Sequence, residues 1–277
     1  MSERFLSGRQ AWVTGGVTGM GQAIALALAK AGADVAIGSL PSGAKLPEAA
    51  YAAQPSQAAI DAAANDIRAC DVKGFARALD LRDEADVDAF HAEATKALGA
   101  FDILINAAGV SAQEAMVGHR TETWTAVLDI NLNGCYRTIK RTLSSMIERR
   151  FGRIVNIAST AADVGFPGYS AYCASKSALL GLTRCVALEG AEHGVTCNVI
   201  NPGSVGTEMM RLGSLRRIAK GGQGTTVEEN FARIAEDMPQ KRLVRVEEIA
   251  AAALFLCRDE ALGITGEAIT ISGGASW

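Results

Sequence analysis

This sequence is short of aromatic rings, histidine and any surplus of charge, and each shortage closes off a class of function. Aromatics make up only 5% of the 277 residues, too few for a base-stacking platform or the core of a β-sandwich. The 27 basic and 30 acidic residues leave a net charge of −3 with no long run of either sign. No basic stripe is available for a phosphate backbone, and nucleic acid is not expected as a partner. The histidines (His91, His119, His193) and cysteines (Cys70, Cys135, Cys173, Cys185, Cys197, Cys257) are scattered, without a Cys-x-x-Cys pair. That argues against a metal and for buried, reduced thiols. No apolar run is both long and uncharged enough to span a bilayer, and the first residues lack the apolar stretch of a secretion signal. A soluble, cytoplasmic protein with no membrane partner is expected.

What the chain does have is apolar mass and glycine. Apolar residues are 49% of the total and glycines number 29, enough for a large core with tight turns. Short β-branched runs at 10–14, 34–37, 75–79, 101–105, 153–157, 195–200 and 268–271 read as strands. Helical periodicity occupies 19–31, 58–67, 85–98, 121–149, 171–192 and 246–258. Such alternation builds right-handed βαβ units, hence an α/β fold: one doubly wound, Rossmann-like parallel sheet in a single domain, 1–277. Two segments break the rhythm. Residues 39–73 are expected as a surface excursion, and 204–241, with the turn-rich Gly221-Gly-Gln-Gly224, as an irregular substrate lid.

The first strand runs into Thr14-Gly15-Gly16-Val17-Thr18-Gly19-Met20-Gly21 and then a helix. A phosphate needs backbone N–H groups at close range and a positive helix end, and glycines allow both the turn and the approach. The spacing is Gly-x-x-x-Gly-x-Gly, not the Gly-x-Gly-x-x-Gly of the dinucleotide fingerprint. With this loop the chain resembles the short-chain dehydrogenase/reductase family, and the resemblance runs from Gln10 to Gly274. It implies cofactor contacts at Gly15, Thr18, Gly19, Met20 and Gly21. It further implies that Asp80 and Leu81 meet the adenine, that Asn106, Ala107, Ala108 and Gly109 lie beside the cofactor, and that Pro202, Gly203, Val205 and Thr207 clasp the nicotinamide end.

An acidic residue after the second strand of such folds holds the ribose 2′-OH, whereas a basic one accommodates a 2′-phosphate. Here the strand ends Ile37-Gly38-Ser39-Leu40, with neither charge. Ser39 and Leu40 are therefore expected against the ribose, with NADP(H) preferred over NAD(H), Ser39 as a donor and Lys45 as a possible counter-charge.

Tyr172-Cys-Ala-Ser-Lys176 opens a helix, and residues four apart share a face. Free tyrosine has a pKa of about 10, too high for a base at neutral pH, and a nearby cation favours the phenolate. Lowering it by roughly 3 corresponds to about 4 kcal/mol, within reach of Lys176 plus a nicotinamide's charge. Alone, Tyr-x-x-x-Lys is common by chance. Ser159, thirteen residues upstream at the end of the fifth strand, adds the constraint, since carboxyl ends of parallel strands face the ligand crevice. In isolation it reads equally as a helix cap.

The resemblance makes Ser159, Tyr172 and Lys176 catalytic and adds Asn131, which helps hold a water linking Lys176 to solvent. It implies hydride transfer between a nicotinamide, held partly by Tyr172 and Lys176, and a small secondary alcohol or ketone. Tyr172 moves the proton and Ser159 orients the oxygen. It also implies a homo-oligomer, tetramer or dimer, built through the helices carrying Asn131 and Tyr172 and the tail 268–277. The alternatives are a nucleotide-binding sensor and a non-redox enzyme on the same scaffold, such as a halohydrin dehalogenase. Those lose the Tyr/Lys pair or the loop glycines, which this chain keeps. Phe166, Met209, Met210 and Leu212 are pocket candidates. Trp12 and Trp124 read as packing, and Arg216, Arg217 and Lys220 as solvated charges or anion contacts.

Overall fold

The computed structural model describes residues 4–222 and 226–275. Its frame is seven parallel strands: β1 (Gln10–Thr14), β2 (Asp34–Ser39), β4 (Gly74–Ala78), β5 (Ile103–Asn106), β7 (Gly152–Ile157), β8 (Val195–Pro202) and β9 (Ala268–Ile271). A two-stranded antiparallel ribbon, β3 (Ala50–Tyr51) with β6 (Ser111–Ala112), stands apart. The large sheet runs β4-β2-β1-β5-β7-β8-β9. The chain works outward from β1 to β4, then crosses back to lay β5 on the other side of β1. In open α/β sheets that reversal leaves a crevice outside the carboxyl ends of the two strands, where ligands bind.

The central strands β1, β5, β7 and β8 are buried toward both faces because helices cover both. Val13 and Ile37 point to one side, against Ile24 and Leu28 of α1 (Gly19–Lys30), Ile60 of α2 (Gln57–Arg68) and Ile249 of the last helix. Trp12 and Leu104 point to the other, against Phe90 of α3 (Glu84–Leu98) and helices carrying Ile139, Met146 and Val186. Trp12 is the packing residue expected, fully buried and stacked on Phe90 at 5.2 Å. Trp124, on α4 (Thr121–Leu128), is 37% exposed and packs edge-on against His119 at 6.3 Å.

Three expectations are corrected. The helix read over 121–149 is interrupted: α4 passes through a π turn (Asp129–Asn133) into α5 (Gly134–Glu148). Residues 204–241 are largely helical, forming α7 (Glu208–Ala219) and α8 (Val227–Asp237), whose first turns are capped by the Thr207 and Thr226 side chains. The excursion over 39–73 carries the helix expected near 58–67, as α2, and it also pairs with the body, where Ala50 and Tyr51 meet Ala112 and Ser111 and are buried. The thiols are not uniformly buried: Cys135, Cys197 and Cys257 are, Cys70 and Cys173 are half-buried, and Cys185 is exposed. Long α6 (Ser170–Gly190) and α9 (Val246–Leu256) fall within two residues of the pattern. The expected turn at Gln223 and Gly224, the opening residues 1–3, and Ser276 and Trp277 of the tail lie outside the described residues. Among the described residues no helix is long and apolar enough to cross a membrane, and no cluster of metal-ligating side chains occurs.

Candidate active site

Three carboxyl strand ends are knitted together at the crevice. Thr14 of β1 is in register with Asn106 of β5, and its carbonyl and hydroxyl accept from Ala107 N and Ala108 N, both at 3.2 Å. Gly15 N donates to Gly38 O at 2.6 Å, which draws in β2. Gly15 has φ +67°, and a Cβ there would stand 2.8 Å from Ala108 Cα. A Cβ on Gly21 would run into the Gly15 carbonyl. Only glycine allows the loop to lie this close to its helix.

The start of α1 is left open. Thr18 makes no side-chain cap and the first turn carries no acid. Its free N–H groups and helix dipole therefore favour an anion. The cleft in front of them is lined by Gly15, Thr18, Gly19, Met20 and Gly21, then Ser39, Leu40, Asp80, Leu81, and Ala107 to Gly109. Residues not foreseen line it as well: Ala52 and Ala53 from the ribbon strap, Val110, and Ile130 from the π turn.

Asn106 and Lys176, expected against the cofactor, line no part of this cleft. Asn106 is buried in a polar chain, donating to Asn156 Oδ1 at 2.8 Å and accepting from Thr138 Oγ1 at 2.7 Å. At the cleft wall, burial alone would raise the Asp80 carboxyl. Hydrogen bonds from Arg82, whose guanidinium stands 2.6 Å away, outweigh that and hold it below the usual carboxylate range. Arg82 also donates to Lys45 O at 2.8 Å. The Lys45 side chain is exposed and does not line the cleft.

A second cavity adjoins the first, with Met20, Thr207 and Met209 forming a wall of both. Tyr172, Ser159, Pro202, Gly203 and Val205 line it, together with Met210. Phe166 and Leu212, expected here, do not. Phe166 is 48% exposed. Ser159 caps a short 3-10 turn, its Oγ accepting from Ala161 N at 3.1 Å. The cap reading is correct, and it leaves the hydroxyl proton free to point elsewhere. Lys176 is 4% exposed and donates to Ile157 O at 2.8 Å, with its ammonium 5.7 Å from the centre of the Tyr172 ring.

Burial raises the Tyr172 phenol, and the hydrogen bond with Ser159 offsets this only in part. Burial likewise pushes Lys176 down to about 8, with Cys135 opposing. The Lys176 ammonium is turned to a carbonyl rather than to the phenol, so it does not draw the phenol down.

Asn131, fully buried, accepts from Val110 N at 2.8 Å and donates to Val110 O and Ser175 Oγ, both at 3.0 Å. The π turn makes this possible by rotating one helical residue inward, a device common at functional sites. A Cβ on Gly109 would lie 3.4 Å from Asn131 Oδ1 and 3.5 Å from Lys176 Nζ, which places all three together.

Tyr51, Ser111, Tyr169 and Ser214 also line the second cavity and were not anticipated. The Tyr51 phenol, pushed up to about 12 chiefly by burial, is hydrogen-bonded with Ser111 and Tyr169. Tyr169 sits one turn before Tyr172, so the helical period would have found it. Nothing local marks Tyr51.

A family model described as Enoyl-(Acyl carrier protein) reductase matches residues 15–276. The chain belongs to the short-chain dehydrogenase/reductase family of oxidoreductases. The 3-oxoacyl-(acyl-carrier-protein) reductase FabG of Haemophilus influenzae is 32% identical over 269 residues, 97% of this chain and 98% of that protein. The uncharacterized oxidoreductase YxjF of Bacillus subtilis is 35% identical over 268 residues, 95% of this chain and 96% of that one. Among solved structures, a variant actinorhodin polyketide ketoreductase with NADPH has a TM-score of 0.87 at 30% identity, covering 100% of this chain and 99% of that chain.

A nicotinamide dinucleotide fits this short-chain dehydrogenase/reductase on its own geometry. The glycine cradle and the uncapped, acid-free start of α1 suit a pyrophosphate. Thr207 and Met209, shared by both cavities, mark where one end of the dinucleotide would meet a substrate.

Proposed function

We propose that this oxidoreductase moves hydride between NADP(H) and a secondary alcohol or ketone, with Tyr172 as the acid and base. The observation that carries it is the shared wall. The cavity holding Tyr172 and Ser159 shares Met20, Thr207 and Met209 with the glycine-lined cleft. When bound, the reduced nicotinamide supplies the hydride. The chain does the rest.

Ser159, whose Oγ accepts from Ala161 N and is hydrogen-bonded with Tyr172, turns its proton to a substrate oxygen that enters between them and so fixes the carbonyl's orientation. Tyr172, kept protonated by burial, gives its phenolic proton to that oxygen as the carbon accepts hydride. The phenolate that remains has the Lys176 ammonium 5.7 Å from its ring centre, anchored by Ile157 O. Asn131 acts through its neighbours, pinning Val110 and Ser175 around Lys176. A phenol raised by burial favours the carbonyl-to-alcohol direction, which is also the direction named for the reductases this chain resembles.

NADP(H) is favoured over NAD(H) because no carboxylate stands at Ser39 or Leu40 to repel a 2′-phosphate. A homo-oligomer is proposed from the apolar side chains left exposed on the helices flanking the site, Tyr136 on α5 (48%) and Leu188 on α6 (79%). Replacing Tyr172 by Phe should cut ketone reduction by roughly 1,000-fold with NADPH affinity unchanged. Near-wild-type turnover in that variant refutes the assignment.

A further inference from the structure

We infer that the pocket beside Tyr172 takes a substrate bearing an anionic oxygen group, with Arg217 as its counter-charge. This rests on the hydride-transfer reading and names the class of substrate for it.

Helix α7 walls the pocket and carries three arginines, Arg211, Arg216 and Arg217, of which Arg217 alone lines it. Arg211 is paired with Glu208 at 2.7 Å. Arg216 donates to Glu48 O at 2.7 Å and Ala50 O at 3.1 Å, and lies 5.1 Å over the Tyr51 ring, tying α7 to the strap. Arg217 is different. Among the described residues its only side-chain hydrogen bond goes to Asn230 Oδ1 at 3.4 Å, an oxygen that Arg233 also reaches at 3.3 Å. No carboxylate of the described residues pairs with it.

Among the described residues Arg217 is also the one charged side chain lining the Tyr172 pocket. The other polar side chains there, on Tyr51, Ser111, Tyr169, Ser204, Thr207 and Ser214 besides the Ser159–Tyr172 pair, are neutral hydroxyls. A half-buried guanidinium with most of its five donors unspent is costly unless an anion meets it, and its planar fork matches a carboxylate or phosphate. With no acid in the lining, nothing repels such a group. The pocket thus offers hydroxyls to a carbonyl oxygen and one cation to a second, charged site on the same molecule. That anion is either a carboxylate of the substrate itself or a phosphate on a thioester carrier.

The test follows NADPH oxidation by the wild type, Arg217→Gln and Arg217→Lys. The probes are pyruvate, acetoacetate and levulinate, each beside its methyl ester, and acetoacetyl-coenzyme A beside the uncharged N-acetylcysteamine thioester. Arg217→Gln should lower kcat/KM by roughly 10- to 100-fold on the charged member of a pair, through KM, and by less than about threefold on its neutral partner. Arg217→Lys should fall between. Loss confined to the acids assigns the carboxylate, and loss confined to the coenzyme A thioester assigns the phosphate. Equal loss on charged and neutral probes, or none on charged ones, overturns the inference. Calorimetric binding of the acids and of acetoacetyl-coenzyme A to Tyr172→Phe, with and without Arg217→Gln, reads the anion site without turnover. A wild type that reduces neutral ketones while neither probe class binds through Arg217 sinks the anion site alone. One that binds an anion through Arg217 but reduces no carbonyl sinks the hydride reading instead.

Discussion

Lys176 donates its ammonium to the carbonyl of Ile157 at 2.8 Å, the last residue of the strand that leads to Ser159. One bond thus ties the helix of the acid/base pair to the strand end that presents the substrate-orienting hydroxyl. It also buries a charge. Burial lowers Lys176 from 10.5 to about 8, a penalty of about 3 kcal/mol in the charged state.

The sign sets a pH window. The folded value lies below the unfolded one, so the unfolded chain holds the proton more tightly and the penalty is complete below pH of about 8. Stability then recovers as pH rises toward about 10.5, where both states are neutral. Lys176→Met removes this dependence, at about 1 kcal/mol for the stranded Ile157 carbonyl. In urea melts the variant's advantage over wild type should be greatest below pH of about 8 and shrink above it. A gap that widens with pH contradicts the burial argument.

Tyr172 should show the opposite profile in activity. Because burial raises its phenol, ketone reduction stays level through neutral pH and falls only in the alkaline range. Alcohol oxidation, which needs the phenolate, rises over the same range. Initial rates in both directions across pH check this, and a reduction rate already falling near neutrality argues against it.

Tyr51 closes the substrate pocket from the strap, its hydroxyl 2.9 Å from where a Cβ on Gly213 would sit. Tyr51→Phe keeps the wall and should raise KM severalfold with kcat held. Tyr51→Ala opens the wall and should widen the range of ketones accepted, at about 3 kcal/mol in stability. A ketone panel with a thermal melt separates the two effects.

Ser39 accepts from Val17 N at 3.3 Å and faces the nucleotide cleft. Ser39→Asp can still accept that bond but sets a negative charge where a 2′-phosphate would lie. The ratio of kcat/KM for NADPH over NADH should fall by roughly 10-fold or more. An unchanged ratio would place the 2′-position elsewhere.

Gly21→Ala tests the cradle. Its Cβ would meet the Gly15 carbonyl, backbone that cannot swing aside, so the loop must shift. We expect NADPH affinity to fall roughly 10-fold or more and stability to drop by about 1–3 kcal/mol. Fluorescence titration and melting report them separately.

The strands, their parallel sense and the shared helix face of Tyr172 and Lys176 were legible because they follow from short-range periodicity. Buried strands read as apolar runs, and a helix repeats every 3.6 residues, so Val13, Leu104 and the Tyr172 face declare themselves locally. The loop glycines belong here too, since a close turn admits no other residue.

What only tertiary structure decided are contacts between segments far apart in the chain. Tyr51 reaches the pocket because two residues of a Pro- and Ala-rich insertion pair with Ser111 and Ala112. Asn131 turns inward because Val110 and Ser175 satisfy its amide. The phenol's raised pKa and the direction of the Lys176 ammonium depend on burial and on Ile157, neither of which spacing along a helix encodes. Period and turn chemistry are properties of neighbours in sequence. Desolvation and hydrogen-bond choice belong to neighbours in space.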